Sequence, residues 1–152
     1  NNQINLTSLQ TPNNPITCLE GGKYEFEFVP CGDYMNCYIN DPGMSAVALA
    51  TQTDTTNGEC TAWLGVWDSN VNPAPAKNQY NEDQFIFKYG GGSTNSCAGR
   101  AFEVTFTCDL SAGNYDANAI DCNEQKIDDV CTYFMEIRTQ WACEEYRPTG
   151  VG

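Results

Sequence analysis

The 152-residue chain contains no histidine. That excludes a histidine-based catalytic triad and a zinc site of the histidine-rich kind. Basic residues are scarce: seven Lys and Arg stand against 20 Asp and Glu, for a net charge of −13. So negative a chain repels phosphate backbones, so nucleic acid is not an expected partner, and an anionic membrane surface is disfavoured for the same reason. No apolar run approaches the roughly 20 residues a membrane-spanning helix needs. No signal peptide opens the chain, and the expectation is that it begins at a processed N-terminus. Helix signatures of useful length and internal repeats are also missing.

What is present points to a packed domain. Hydrophobic residues make up 41% of the chain, with eight Tyr, seven Phe and three Trp. That is enough for a real core in a single domain. Nine cysteines are too many for a reduced cytosol and imply a disulfide framework made in an oxidising, secreted or lumenal compartment. The sequon Asn5-Leu6-Thr7 is a candidate N-glycan acceptor, which fits secretion. Neither a metal nor a cofactor is expected.

Residues 1–17 are rich in Asn, Thr and Pro and read as a polar arm, leaving residues 18–152 as the domain. From Tyr24 the pattern changes. Tyr24, Phe26 and Phe28 alternate with Glu25 and Glu27, which is the period of a half-buried strand. Residues 44–51 and 62–67 read as apolar strands. Residues 84–89 alternate again, with Phe85 and Phe87 opposite to Ile86. Phe102, Val104, Phe106 and Cys108 share one face of a further strand, and residues 130–139 form the last. Residues 68–83 and 109–126 read as long loops, and Gly90-Gly91-Gly92 as a sharp turn. About eight to nine short, mostly antiparallel strands predict an all-β flattened barrel or sandwich.

The end of the chain narrows this further. Cys131, Tyr133, Met135 and Ile137 share a strand face, followed by Thr139 and Ala142-Cys143. The segment resembles the closing motif of mannose 6-phosphate receptor homology domains, the P-type lectins: roughly Cys-x-Tyr-x-Phe-x-Trp-x-Thr-x-x-Ala-Cys. Met135 and Ile137 replace its aromatics. Cys18 through Cys31, with Tyr24-x-Phe26-x-Phe28 between them, is similar to the family's opening hairpin. Phe87-Lys88-Tyr89-Gly90-Gly91, with Cys97 soon after, is similar to its Tyr-x-Gly-Gly segment. Arg100 stands eight residues before Cys108, and Gln52 follows a small-apolar strand, as the family places them. The resemblance spans about residues 18–143.

The resemblance implies a lectin that reads mannose with a Gln, an Arg, a Glu and a Tyr. Here these are Gln52, Arg100, an acidic residue before Cys131, and Tyr133. Glu124, seven residues before Cys131, is favoured for its reach and residue type, with Asp128 as the alternative. Such a set suits adjacent sugar hydroxyls, which donate and accept at once. Without the resemblance, each residue has a plainer role. Gln52 would be a strand-end surface residue, Arg100 a solvated or ion-paired charge, Tyr133 a core residue, and the acids loop charges. The resemblance also implies pairings Cys18–Cys31, Cys97–Cys131 and Cys108–Cys143, with Cys37–Cys60 as a further bridge. Cys122 is left over: a buried thiol, a link to another chain, or an exchange of partners are all open.

The family's phosphate readers use the loop that here is Ser93-Thr94-Asn95-Ser96. Asn95 could donate to a phosphate, but the family's Asp and His are absent and the net charge opposes a phosphomonoester. Neutral mannose on glycans or glycoproteins is therefore the expected ligand. Trp63, Trp67 and Trp141 are either sugar-stacking or core residues, with core favoured for at least two of them. Catalysis is not expected, because adjacent carboxylates such as Asp128-Asp129 and Glu144-Glu145 do not converge as a glycosidase pair must. The rival reading is an assembly protein that self-associates through the N-terminal arm or Cys122.

Overall fold

In the computed structural model, residues 3–10, 14–32, 37 and 47–148 are described. Nine strands form two sheets, making an all-β sandwich that does not close into a barrel. The first sheet holds β1 (Ile16–Glu20), β2 (Tyr24–Phe28), β3 (Ala48–Asp54) and β4 (Glu59–Val66), as an antiparallel meander in that order. The second holds β5 (Ala74–Lys77), β6 (Asp83–Tyr89), β7 (Gly99–Cys108), β8 (Asp121–Ile127) and β9 (Val130–Thr139). Its order is β5-β6-β7-β9-β8, with β7 and β9 parallel and every other pair antiparallel. Among the described residues, helix is limited to three-residue 3₁₀ turns.

Side-chain alternation explains the core. Successive strand residues face opposite sides. Phe26 and Phe28 of β2, Phe85 and Phe87 of β6, Phe102, Val104 and Phe106 of β7, and Tyr133, Met135 and Ile137 of β9 all point inward and are buried together. Phe28 packs on Phe102 and Phe106 across the two sheets, at 5.3 and 6.2 Å between ring centroids. Residues 130–139 form the strand that their pattern predicts. Of residues 44–51, Met44–Ala46 lie outside the described part, and β3 runs on to Asp54.

Two predicted loops contain strands. β5 lies within residues 68–83. It holds Pro75 and bonds only to β6, which suits an edge strand, where a missing N–H costs little. β8 lies within residues 109–126 and ends at Ile127. All its residues but Cys122 are exposed, so it carries no apolar alternation. The N-terminal arm also departs from expectation: Leu9 and Ile16 are buried in the core, and β1 starts at Ile16, before the predicted domain boundary at 18.

Four disulfides staple this frame. Cys97–Cys131 and Cys108–Cys143 clamp the parallel β7–β9 pair at its two ends, and Cys37–Cys60 ties a preceding segment to β4, as the resemblance implied. The first pairing is different. Cys18 is bonded to Cys122, not to Cys31. The reason is sheet order. β1 and β8 are the edges of their respective sheets and lie against each other, so a bond between them closes that side of the sandwich. Cys31 is the ninth cysteine. It lies in a 3₁₀ turn with φ of 66°, and its sulfur accepts a hydrogen bond from Gln10 Nε2 at 2.8 Å.

Candidate functional site

Strand periodicity places three polar side chains on faces that are otherwise core. Arg100 begins the inward face of β7 that continues through Phe102, Val104 and Phe106, and it is only 7% exposed. Tyr133 lies on the inward face of β9 and is 1% exposed. Gln52 is 6% exposed and pairs in register with Phe26, whose ring meets Tyr133 edge-on at 5.4 Å. All three gather at one end of the sandwich.

Arg100 organises them. Its Nε donates to the Tyr133 hydroxyl at 2.9 Å. Its Nη1 donates to the Ser93 and Asn95 carbonyl oxygens at 2.8 and 2.7 Å, and also reaches Ser93 Oγ and Asn95 Oδ1. Among the described residues, no carboxylate forms an ion pair with it. Burying a cation is expensive unless its donors are satisfied, and here neutral acceptors hold Nε and Nη1. Nη2 donates to no described residue. Arg100 is thus neither a solvated charge nor an ion-paired one.

The loop that supplies these acceptors depends on Gly92. A Cβ there would stand 2.5 Å from the Trp63 carbonyl oxygen and 2.6 Å from Arg100 Cβ, so the backbone can pass between β4 and β7 only without a side chain. The Ser93 N–H then donates to the Trp63 carbonyl, and the Ser93 hydroxyl accepts from the Trp63 N–H. Asn95 Nδ2 donates to the Thr61 carbonyl at 2.9 Å. The Asn95 amide is therefore engaged at both ends and is not a ready phosphate donor. Sequence reasoning missed Ser93 and Thr61. The signal that could have found Ser93 is the glycine before it.

Gln52 joins the cluster through Thr61. Gln52 Nε2 donates to Thr61 Oγ1 at 3.0 Å, and Thr61 Oγ1 donates in turn to the Gln52 carbonyl. This fixes the amide orientation and leaves Gln52 Oε1 buried with no hydrogen-bond partner. An orphaned buried acceptor costs about 1–3 kcal/mol, so its presence calls for an explanation.

β8 places the two acids differently. Glu124 pairs with Tyr133 in the β8–β9 register, so the two share a face of the sheet. Asp128 lies in the β8–β9 turn with φ of 49°, beyond the strand. Glu124 is close enough to Arg100 and Tyr133 for its charge to act on both. Its own carboxyl is held above the ordinary value, first by partial burial and then by the neighbouring Glu20, with Arg100 opposing. Gln52, Arg100, Glu124 and Tyr133 are brought to one end of the molecule.

The tryptophans sit elsewhere than expected. Trp63 and Trp141 are half-buried, with their indole N–H groups bonded to the Cys37 carbonyl and Asn114 Oδ1, and Trp67 is exposed beside Tyr89. None of them is fully buried. No grouping of metal-binding residues occurs among the described residues, and no helix there is long and apolar enough to cross a membrane. No family model matches this chain, and none of the curated proteins matches it.

Proposed function

We propose that the chain is a carbohydrate-binding domain of the mannose 6-phosphate receptor homology type, which reads mannose-type N-glycans in a secreted or lumenal setting. The observation that carries this reading is Gln52 Oε1: a buried acceptor with no protein partner, in the same polar cluster as Arg100. A sugar hydroxyl would donate to it and accept from the guanidinium. Glu124 supplies a second acceptor, and Tyr133 is held in place by Arg100 Nε. Four disulfides are compatible with the compartment.

Neutral mannose fits better than a phosphomonoester. The Asn95 amide is occupied, and Glu20 and Glu124 add negative charge where a phosphate would have to sit. Each sugar bond contributes about 1 kcal/mol net, so a single site binds in the millimolar range and function rests on several copies or several glycan arms. Assembly has less to draw on, since Cys122 is committed to Cys18 and the arm's Leu9 is buried in this chain's own core.

A glycan array tests the reading. Oligomannose glycans are expected to bind at pH 7, above their phosphorylated forms and above galactose-terminated ones. Because the raised Glu124 carboxyl takes up its proton at a higher pH than an ordinary carboxylate, it loses acceptor capacity earlier as pH falls. Binding should weaken on mild acidification, and Glu124→Gln should flatten that profile. An array with no mannose-dependent signal would reject the proposal, and a preference for phosphorylated glycans would reverse the choice of ligand.

A further inference from the structure

The sandwich also holds a cavity of about 680 Å³, well within the roughly 300–1,000 Å³ typical of small-molecule sites. Phe106, on its wall, lies six residues along β7 from Arg100, about 20 Å at the rise of a strand. Tyr89, also on its wall, pairs with Phe102, which pairs in turn with Tyr133, so the cavity reaches toward the polar cluster at one side and away from it at the Phe106 side.

Its chemistry is distinct. Phe28, Phe87 and Phe106 form its floor, Trp67 and Val71 stand at its mouth, and residues 3–7 of the arm and residues 71–73 border it. Among the described residues, no lysine, arginine, aspartate or glutamate lines it. Its polar side chains are Gln3, Asn5, Thr7 and Gln10 of the arm, Asn72 beside Val71 and, on the strand wall, Tyr89. This residue is 5% exposed, its ring stacks parallel to Phe87, and Trp67 leans on it at 6.3 Å. No described residue hydrogen-bonds its hydroxyl, whereas the comparably buried Tyr133 is held by Arg100. Burial, with Cys31 and Asp68 nearby, pushes the Tyr89 phenol well above its ordinary value, so it keeps its proton and stays a donor.

We propose that this cavity binds a neutral, largely apolar small molecule that carries one hydrogen-bond acceptor, which the Tyr89 hydroxyl receives. The aromatic walls supply the area, and the phenol, the polar side chain of the strand wall, sets the orientation, the usual division of labour in such sites. An anionic ligand is disfavoured, because no cation lines the cavity and the chain is strongly negative.

The probe for the test is Prodan, a neutral naphthyl ketone whose emission shifts to the blue in apolar, water-poor surroundings. The full chain is expected to bind it saturably at one site, with no effect from added mannose. Val71→Trp, at the mouth, should weaken binding more than tenfold. Tyr89→Phe, which keeps the packing, should weaken it about fivefold to tenfold. Displacement of Prodan by 2-undecanone should be at least tenfold better than by laurate. Non-saturable binding, or equal affinity in wild type and Val71→Trp, overturns the site. Equal affinity in Tyr89→Phe, or equal displacement by laurate, overturns the assigned ligand chemistry. These outcomes do not depend on whether the sugar site is correct.

Discussion

Arg100→Ala is expected to eliminate mannose binding and to lower stability by about 2–4 kcal/mol. The second effect follows from what the side chain holds. Removing it leaves the Ser93 and Asn95 carbonyl groups and the Tyr133 hydroxyl without their donor, in a place where Arg100 itself was 7% exposed. Each buried polar group so orphaned costs about 1–3 kcal/mol, partly recovered by relaxation and entering water. Arg100→Lys keeps the charge but not the planar fork, and should bind no better than Arg100→Ala. Gln52→Leu separates the two effects. It removes the Thr61 bond but also removes the buried, unpartnered Oε1. Stability should change by less than about 1 kcal/mol, in either direction, while mannose binding falls more than tenfold. A binding loss without a stability loss is what a ligand acceptor produces. Chemical denaturation beside glycan binding reads both. If Gln52→Leu is strongly destabilised, the orphan acceptor has a structural role and its assignment to sugar is wrong.

Cys122→Ser is expected to cost about 4 kcal/mol. The bond to Cys18 spans 104 residues, the longest of the four loops, and the chain-entropy gain of a cross-link grows with loop length. It also closes the side of the sandwich where β1 meets β8. Glu124 lies two residues beyond Cys122 on β8, so sugar affinity should fall together with stability. Cys60→Ser opens a span of only 23 residues and should cost less, about 3 kcal/mol. Guanidinium unfolding of the oxidised proteins gives both values. Peptide mapping without reduction supplies the direct check, with a Cys18–Cys122 linked peptide expected.

These two predictions draw on different degrees of legibility. The strands β2, β6, β7 and β9 are plain in the sequence because each buries one face and wets the other, so apolar and polar residues alternate. β5 and β8 escape notice because edge strands have little buried face to mark them. β8 is polar along nearly all of its length. Missing β8 had two consequences. The partner of Cys18 was misread, since only the adjacency of the two sheet edges brings Cys122 within reach across 104 residues. The choice between Glu124 and Asp128 stayed open, since only the β8 register sets Glu124 opposite Tyr133. Arg100 was more accessible. A charged residue at the start of an inward-facing alternation with Phe102, Val104 and Phe106 breaks the local rule, and such breaks gather at functional sites. Asn95 is the opposite case. Its residue type suits a phosphate, but its amide is consumed by Thr61 and Arg100, a fact of tertiary contact alone.

The most direct measurement is a heteronuclear NMR titration with methyl α-D-mannopyranoside, following the Gln52 side-chain amide and the Arg100 Nε–H. A sugar hydroxyl that donates to Gln52 Oε1 and accepts from Arg100 must move both signals. The account predicts saturable, millimolar shifts of these two resonances and of Glu124, with Phe106 unmoved. Shifts absent at saturating sugar, or confined to residues away from Gln52 and Arg100, would contradict it.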